Sequence, residues 1–185
     1  MPLNVSPEAW PHPAADLVLR PDAGWHQPPW VWWTTAWLHG STAHLWRNLA
    51  GTALLALLGW LIRPDRRTAI AWALAWPLTQ VGMLWQPTLA SYVGLSGVLH
   101  AGVAILGVQA LLAPHRHTLG WVGALLLAGL SAKILMENPW GHALVLSPAS
   151  AINVAPWAHF SGSVAGVWMV TLVRWIGSRK RSPAT

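Results

Sequence analysis

The chain contains no cysteine. Disulfides, thiolate nucleophiles and cysteine-ligated zinc or iron–sulfur sites are thereby excluded. Charge is nearly as scarce. Only 9% of the 185 residues are Asp, Glu, Lys or Arg, where a soluble globular domain carries about 25%. Tyrosine and phenylalanine occur once each, against 16 tryptophans, and Trp concentrates where helix ends meet the lipid–water boundary. The first 29 residues are proline-rich and hold no apolar core of the length a secretory signal needs, so none is expected. No internal repeat or low-complexity segment is evident, and one membrane domain is expected to account for the chain.

What is present is apolar: 54% of residues are hydrophobic, much of it in long runs with little charge. Such runs point to the bilayer as solvent. Five candidate spans emerge, Thr42–Ile62, Thr68–Trp85, Leu95–Ala113, Thr118–Met136 and Ala158–Ile176, each near the roughly 20 residues that cross the hydrocarbon. The connections Arg63–Arg67 and Pro114–His117 and the tail ending Arg179-Lys-Arg181 are basic, whereas Gln86–Gly94 and Glu137–Pro156 contain no Lys or Arg. By the positive-inside rule the basic connections face the cytoplasm, and the N-terminal region and the two other loops lie outside. This alternation also accounts for the formal charge of +6, so no nucleic-acid partner is expected. Trp30–Leu38 is amphipathic and too short to span, as expected of a segment lying in the interface. The expected fold is all-α, a polytopic transmembrane helical bundle. Residues 1–41 are expected to form an extracytoplasmic interfacial segment, 42–177 the membrane domain and 178–185 a basic cytoplasmic tail.

Polar residues inside spans are expensive and tend to be functional. The first, third and fifth spans share a direction, so their N-terminal ends lie at one level. His44 and Asn48 lie at the first of these ends, Ser96 within Gly94-Leu-Ser-Gly97 at the second, and His159 within Ala158-His-Phe-Ser-Gly162 at the third. A serine hydroxyl becomes a nucleophile when a neutral His can take its proton, which makes Ser96 and His159 the candidate pair. Free N–H groups at the start of the Ser96 helix suit an oxyanion. His44 and Asn48, four residues apart, project from one helix face and can donate to the same charge. Gly94 and Gly97 leave room for a substrate backbone. Gly162 and Gly166 form a small-xxx-small pattern that lets the last span pack closely and carry His159 toward Ser96.

Blander readings stand beside these. A Ser or His in a membrane helix is often satisfied by a neighbouring carbonyl, and small residues are common at helix contacts. His100, four residues after Ser96, fits a supporting or packing role. His44, His100 and His159 could hold a metal or haem, but that leaves Asn48 and the Gly-x-Ser-Gly unexplained, so no metal or cofactor is expected. No His-Glu-x-x-His motif occurs and no aspartate lies in any span, which leaves serine as the candidate nucleophile for peptide cleavage in a membrane. Lys133 and Glu137, also four apart, form an ion pair that makes their depth tolerable. The serine mechanism is expected to run on a dyad with no third carboxylate.

The segments His44-Leu-Trp-Arg-Asn48, Gly94-Leu-Ser-Gly97 and Ala158-His-Phe-Ser-Gly-Ser-Val-Ala-Gly166 resemble, in order and helix alternation, the three motifs of the rhomboid family of intramembrane serine proteases. The resemblance runs from about Trp33 to Gly177. It implies a rhomboid-like bundle, a Ser96–His159 dyad, His44 and Asn48 at the oxyanion, and a single-span membrane protein as substrate. It further implies an integral protein of a bacterial inner membrane with its site toward the extracytoplasmic side. Gly94-Leu-Ser-Gly-Val-Leu-His100, with Lys133 and Glu137, is similar to the rhombosortase subgroup, which implies substrates with a Gly-Gly C-terminal sorting helix. The family's first helix and the Trp-Arg pair of its first loop have no counterpart here. The alternative is an inactive rhomboid-like protein that binds or escorts membrane helices. A more distant one is a small transporter or cofactor-binding membrane protein.

Overall fold

A computed structural model describes residues 14–113, 117–147 and 152–179. Residues 1–13, the basic connection at 114–116, loop residues 148–151 and the tail at 180–185 lie outside the described residues. The described chain is mostly helical: α1 (Val31–Thr34), α2 (Thr42–Ile62), α3 (Arg66–Val81), α4 (Ser96–Leu111), α5 (His117–Glu137) and α6 (Pro156–Arg179). Two short strands, β1 (Val145–Ser147) and β2 (Ile152–Val154), lie between α5 and α6. Helices α2, α5 and α6 are long and apolar enough to cross a membrane.

The helix ends follow from local chemistry. Ser41 caps α2, its hydroxyl accepting the His44 N–H at 3.1 Å, and the helix stops at Arg63 in the left-handed region, φ 54°, just before Pro64. Asp65 caps α3, one carboxylate oxygen accepting the Thr68 N–H at 2.9 Å and the Thr68 hydroxyl at 2.8 Å. The expected span Thr68–Trp85 resolves into α3 and a single 3-10 turn at Gly82–Trp85.

Helix α4 is the centre, in contact with α2, α3, α5 and α6. Its 16 residues make a rod of about 24 Å at the 1.5 Å rise per residue, as long as α3 and shorter than α2, α5 and α6. Two of its neighbours approach through glycine. A Cβ on Gly162 would fall 2.0 Å from the Gly97 carbonyl oxygen, and one on Gly166 would fall 2.5 Å from that of Ala101. On the other side a Cβ on Gly123 of α5 would fall 2.6 Å from the Gly107 oxygen. Close van der Waals contact of this kind is what associates apolar helices where lipid leaves no hydrophobic drive between them. Below the seam, Ala71, Ala75, Ala101, Ile105, Ala165 and Met169 continue the contact among α3, α4 and α6.

The expectation of a wholly α fold needs one correction. Strands β1 and β2 pair antiparallel, Val145 opposite Val154 and Leu146 opposite Asn153. In a loop held against the bundle, main-chain groups that no helix satisfies find partners in each other.

The N-terminal segment is tied to the loop that leads into α4. Leu19 pairs with Tyr92 as an isolated β-bridge, the Tyr92 N–H donating to the Leu19 carbonyl at 2.8 Å. The buried Thr35 hydroxyl donates to the Tyr92 carbonyl and accepts the Leu19 N–H at 3.2 Å. The Gly94 N–H donates to the Thr35 carbonyl at 3.0 Å. Leu19, Val31, Met83, Leu89, Tyr92 and Ala158 form the apolar cluster beneath this strap.

Candidate active site

Ser96 is the first residue of α4 and His159 lies in the first turn of α6. The glycine seam sets their separation. With no side chain at Gly162 or Gly97, the two backbones approach until His159 Nε2 is 3.0 Å from Ser96 Oγ. His159 is buried, 6% exposed. Its ring stacks on His100, with centroids 4.0 Å apart and planes 9° from parallel. His100 is anchored in turn by its Nδ1, 2.7 Å from the Ser96 carbonyl oxygen, so it donates there. This is the supporting role that its spacing from Ser96 allowed.

The second His159 nitrogen has a partner that the sequence did not announce. Nδ1 lies 2.6 Å from Glu137 Oε2, a carboxylate contact that the expected Ser96–His159 dyad did not include. Glu137 ends α5, and the C-terminal end of that helix meets the start of α6. Its carboxylate therefore reaches a residue 22 positions on while its other oxygen keeps the expected ion pair with Lys133. One sequence signal existed. An acidic residue in the last turn of a helix opposes the macrodipole and needs outside partners.

His44 and Asn48 stand across the cavity on α2. Gly94, at φ +122° in a conformation that favours glycine, brings the loop against them. A Cβ there would lie 2.6 Å from His44 Cε1 and 3.7 Å from Asn48 Nδ2. Asn48 is 4% exposed, and its Nδ2 has no hydrogen-bond partner among the described residues. Such a buried donor is costly unless something uses it. Tyr92, buried beside this loop, donates its hydroxyl to the Gly94 carbonyl at 3.4 Å. Burial pushes that hydroxyl above its usual pKa range, so it stays a neutral donor.

His44, Asn48, Ser96, His100, Glu137 and His159 line one cavity of about 1010 Å³. Its apolar walls are Leu54 and Leu58 from α2 and Leu125 and Leu126 from α5, with Leu144, Leu146 and Val154 of the β1–β2 loop at one end, and Arg47, Lys133 and Asn153 add polar lining. The four polar residues singled out by sequence thus converge. The glycines divide: Gly94 lies against His44 and Asn48, while the spaces at Gly97, Gly162 and Gly166 are filled by helix backbone. Gly97 therefore serves packing, its missing Cβ facing the Ala158 carbonyl at 2.8 Å, and not the approach of a substrate.

His100, Glu137 and His159 present ligand-type atoms within 4.8 Å of one another. The donor set nevertheless fits a metal poorly. Both His159 nitrogens are engaged, by Ser96 and Glu137, and two imidazoles stacked face to face cannot both aim in-plane lone pairs at one ion. Compared with protein-family models, curated proteins and solved structures, the chain shows no match.

Sequence reasoning missed Glu137 as a partner of His159, and it missed Thr35, Leu19 and Tyr92, which shape the loop carrying Gly94. Thr35 left no signal, since a buried threonine hydroxyl reads like any other polar residue in an amphipathic segment.

Proposed function

We propose that the chain is an intramembrane serine endopeptidase of the rhomboid type, acting on a membrane-anchored protein near the outer face of the membrane. The observation that carries this reading is the 3.0 Å distance between Ser96 Oγ and His159 Nε2, inside a cavity that also holds His44 and Asn48. On this reading α2 to α6 are five spans of a rhomboid-like bundle in a bacterial inner membrane. The basic connections face the cytoplasm and Ser96 faces the extracytoplasmic side. The apolar walls from α2 and α5 suit a single-span substrate entering from the lipid side. The rhombosortase likeness narrows that substrate to proteins with a Gly-Gly C-terminal sorting helix.

The chemistry follows from the donors. His159 Nε2 takes the Ser96 proton as Oγ attacks the scissile carbonyl, then gives it to the leaving amine, and afterwards activates water against the acyl-enzyme. The oxyanion is met by the Ser96 N–H at the start of α4, by the Asn48 Nδ2 group and by His44.

The test is covalent labelling of the detergent-solubilised full chain by a fluorophosphonate, which reacts with activated serines. Wild type is expected to label, and Ser96→Ala and His159→Ala are expected to stay at background while melting as folded proteins. Labelling that persists in His159→Ala removes the dyad. A folded wild type that never labels favours the alternative, a helix-binding protein without catalysis.

A further inference from the structure

We infer that Glu137 is the positioning residue for His159, forming a Ser96–His159–Glu137 relay whose carboxylate is itself held by Lys133. This rests on the protease reading and deepens it, since a serine–histidine dyad alone assigns no task to the last residue of α5.

The first support is the direction of the hydrogen bonds. An ionised carboxylate only accepts, so the His159 Nδ1 that lies 2.6 Å from Glu137 Oε2 carries the ring's hydrogen. That leaves the Nε2 lone pair, 3.0 Å from Ser96 Oγ, free to receive the serine proton. The opposite tautomer would point a hydrogen at Ser96 and could not act as base. Glu137 therefore selects the competent tautomer of a ring that would otherwise choose between two.

The second support is geometric. His100 covers one face of the His159 ring and fixes its plane, but a stacked ring can still flip within that plane. A carboxylate on one edge and a hydroxyl on the other remove that freedom. The third is the cost of the placement. Glu137 ends a helix whose C-terminal dipole repels an anion, and its side chain is only 24% exposed. The Lys133 ammonium on the second oxygen balances the charge, which indicates a carboxylate kept for its contact with His159 and not for the stability of α5.

The accounting closes without moving a second proton. When Ser96 attacks, one proton passes from Oγ to Nε2 and the Nδ1 hydrogen stays where it is. An oxyanion and an imidazolium form together, and the Glu137 carboxylate faces the new positive charge. Besides Glu137 and Lys133 on α5, the ring is faced by Ser96 and His100 on α4, and the other titratable groups lining the cavity are His44 and Arg47 on α2 and Tyr92 on the loop.

The experiment has two readouts on the full chain in detergent. Nitrogen NMR of histidine-labelled protein, assigned by difference against His159→Ala, reports the tautomer without any turnover. A protonated Nδ1 in wild type that becomes mixed in Glu137→Gln is expected. A protonated Nε2 in wild type overturns the relay whatever the labelling shows. The second readout is the fluorophosphonate labelling rate against pH. Glu137→Gln is expected to lose about 10²- to 10⁴-fold near neutral pH, the upper value being that of a serine protease whose histidine is left in the wrong tautomer. Glu137→Asp should recover part of the loss. The acid limb of the profile should move to lower pH in Glu137→Gln, where the imidazolium loses its counter-charge, and to higher pH in Lys133→Met, where a repelling charge is removed. A merely structural role would not move the limb in opposite directions. Wild-type rate and an unshifted limb in Glu137→Gln would overturn the relay while leaving the Ser96–His159 pair intact. Failure of wild type to label would instead count against the protease reading, with the NMR result still deciding the relay.

Discussion

The two walls of the cavity are built on opposite plans. On the α5–α6 wall polar groups are joined end to end: Lys133 to Glu137, Glu137 to His159 Nδ1, and His159 Nε2 to Ser96. On the α2 wall Asn48 Nδ2 is buried with no partner among the described residues. The first arrangement is satisfied in the resting state and fixes a base. The second is unsatisfied at rest, which on the protease reading is a donor aimed at charge that exists only during reaction. A site that stabilises a transition state must hold some of its hydrogen-bonding capacity back.

Substitutions can break or sharpen this contrast. Of three further substitutions, the largest effect is expected from Asn48→Ala. It should lower the labelling rate by about 10²–10³ with no fall in thermal midpoint, because the variant removes a buried donor that the resting fold does not use. A large loss of stability in Asn48→Ala would show that the α2 wall is structural after all. Next is Gly162→Val, on the seam behind the other wall. Its Cβ would meet the Gly97 carbonyl, so the helices must part at a cost of about 1–3 kcal/mol, and both midpoint and labelling should drop. The smallest effect is expected at the far end of the bundle, where Asp65→Ala should cost about 1 kcal/mol through its lost cap and leave the labelling rate unchanged. Partial burial works to raise the Asp65 pKa, but the Thr68 N–H and hydroxyl, with Arg67 and Arg174, outweigh it and hold the value below the usual range. Its contribution is therefore complete above the ordinary carboxylate pKa and is lost as pH falls through the lower folded value. A pH titration of the melting midpoint in wild type and Asp65→Ala should converge in acid.

Much of the site was legible because membrane helices leave few polar residues to choose among. Ser96, His159, His44 and Asn48 stand out against apolar runs, and the ends of α2 were read as Thr42 and Ile62, as the structure has them. The missing parts share a cause. Glu137 with His159, Val145 with Val154 and Thr35 with Tyr92 are contacts between segments distant in sequence or between loops. Hydropathy and helical spacing carry no record of such pairs. Glu137 was further obscured by Lys133, which offered a sufficient local partner at helical spacing.

The glycine seam between α4 and α6 also orders events in time. The nucleophile and its base are separated by 63 residues, and α6 is the last helix of the described chain to leave the ribosome. Until Gly162 and Gly166 dock against Gly97 and Ala101, Ser96 has no base. On the protease reading a nascent chain is thus chemically inert until α6 arrives, and the final docking both completes the bundle and gives the serine its base.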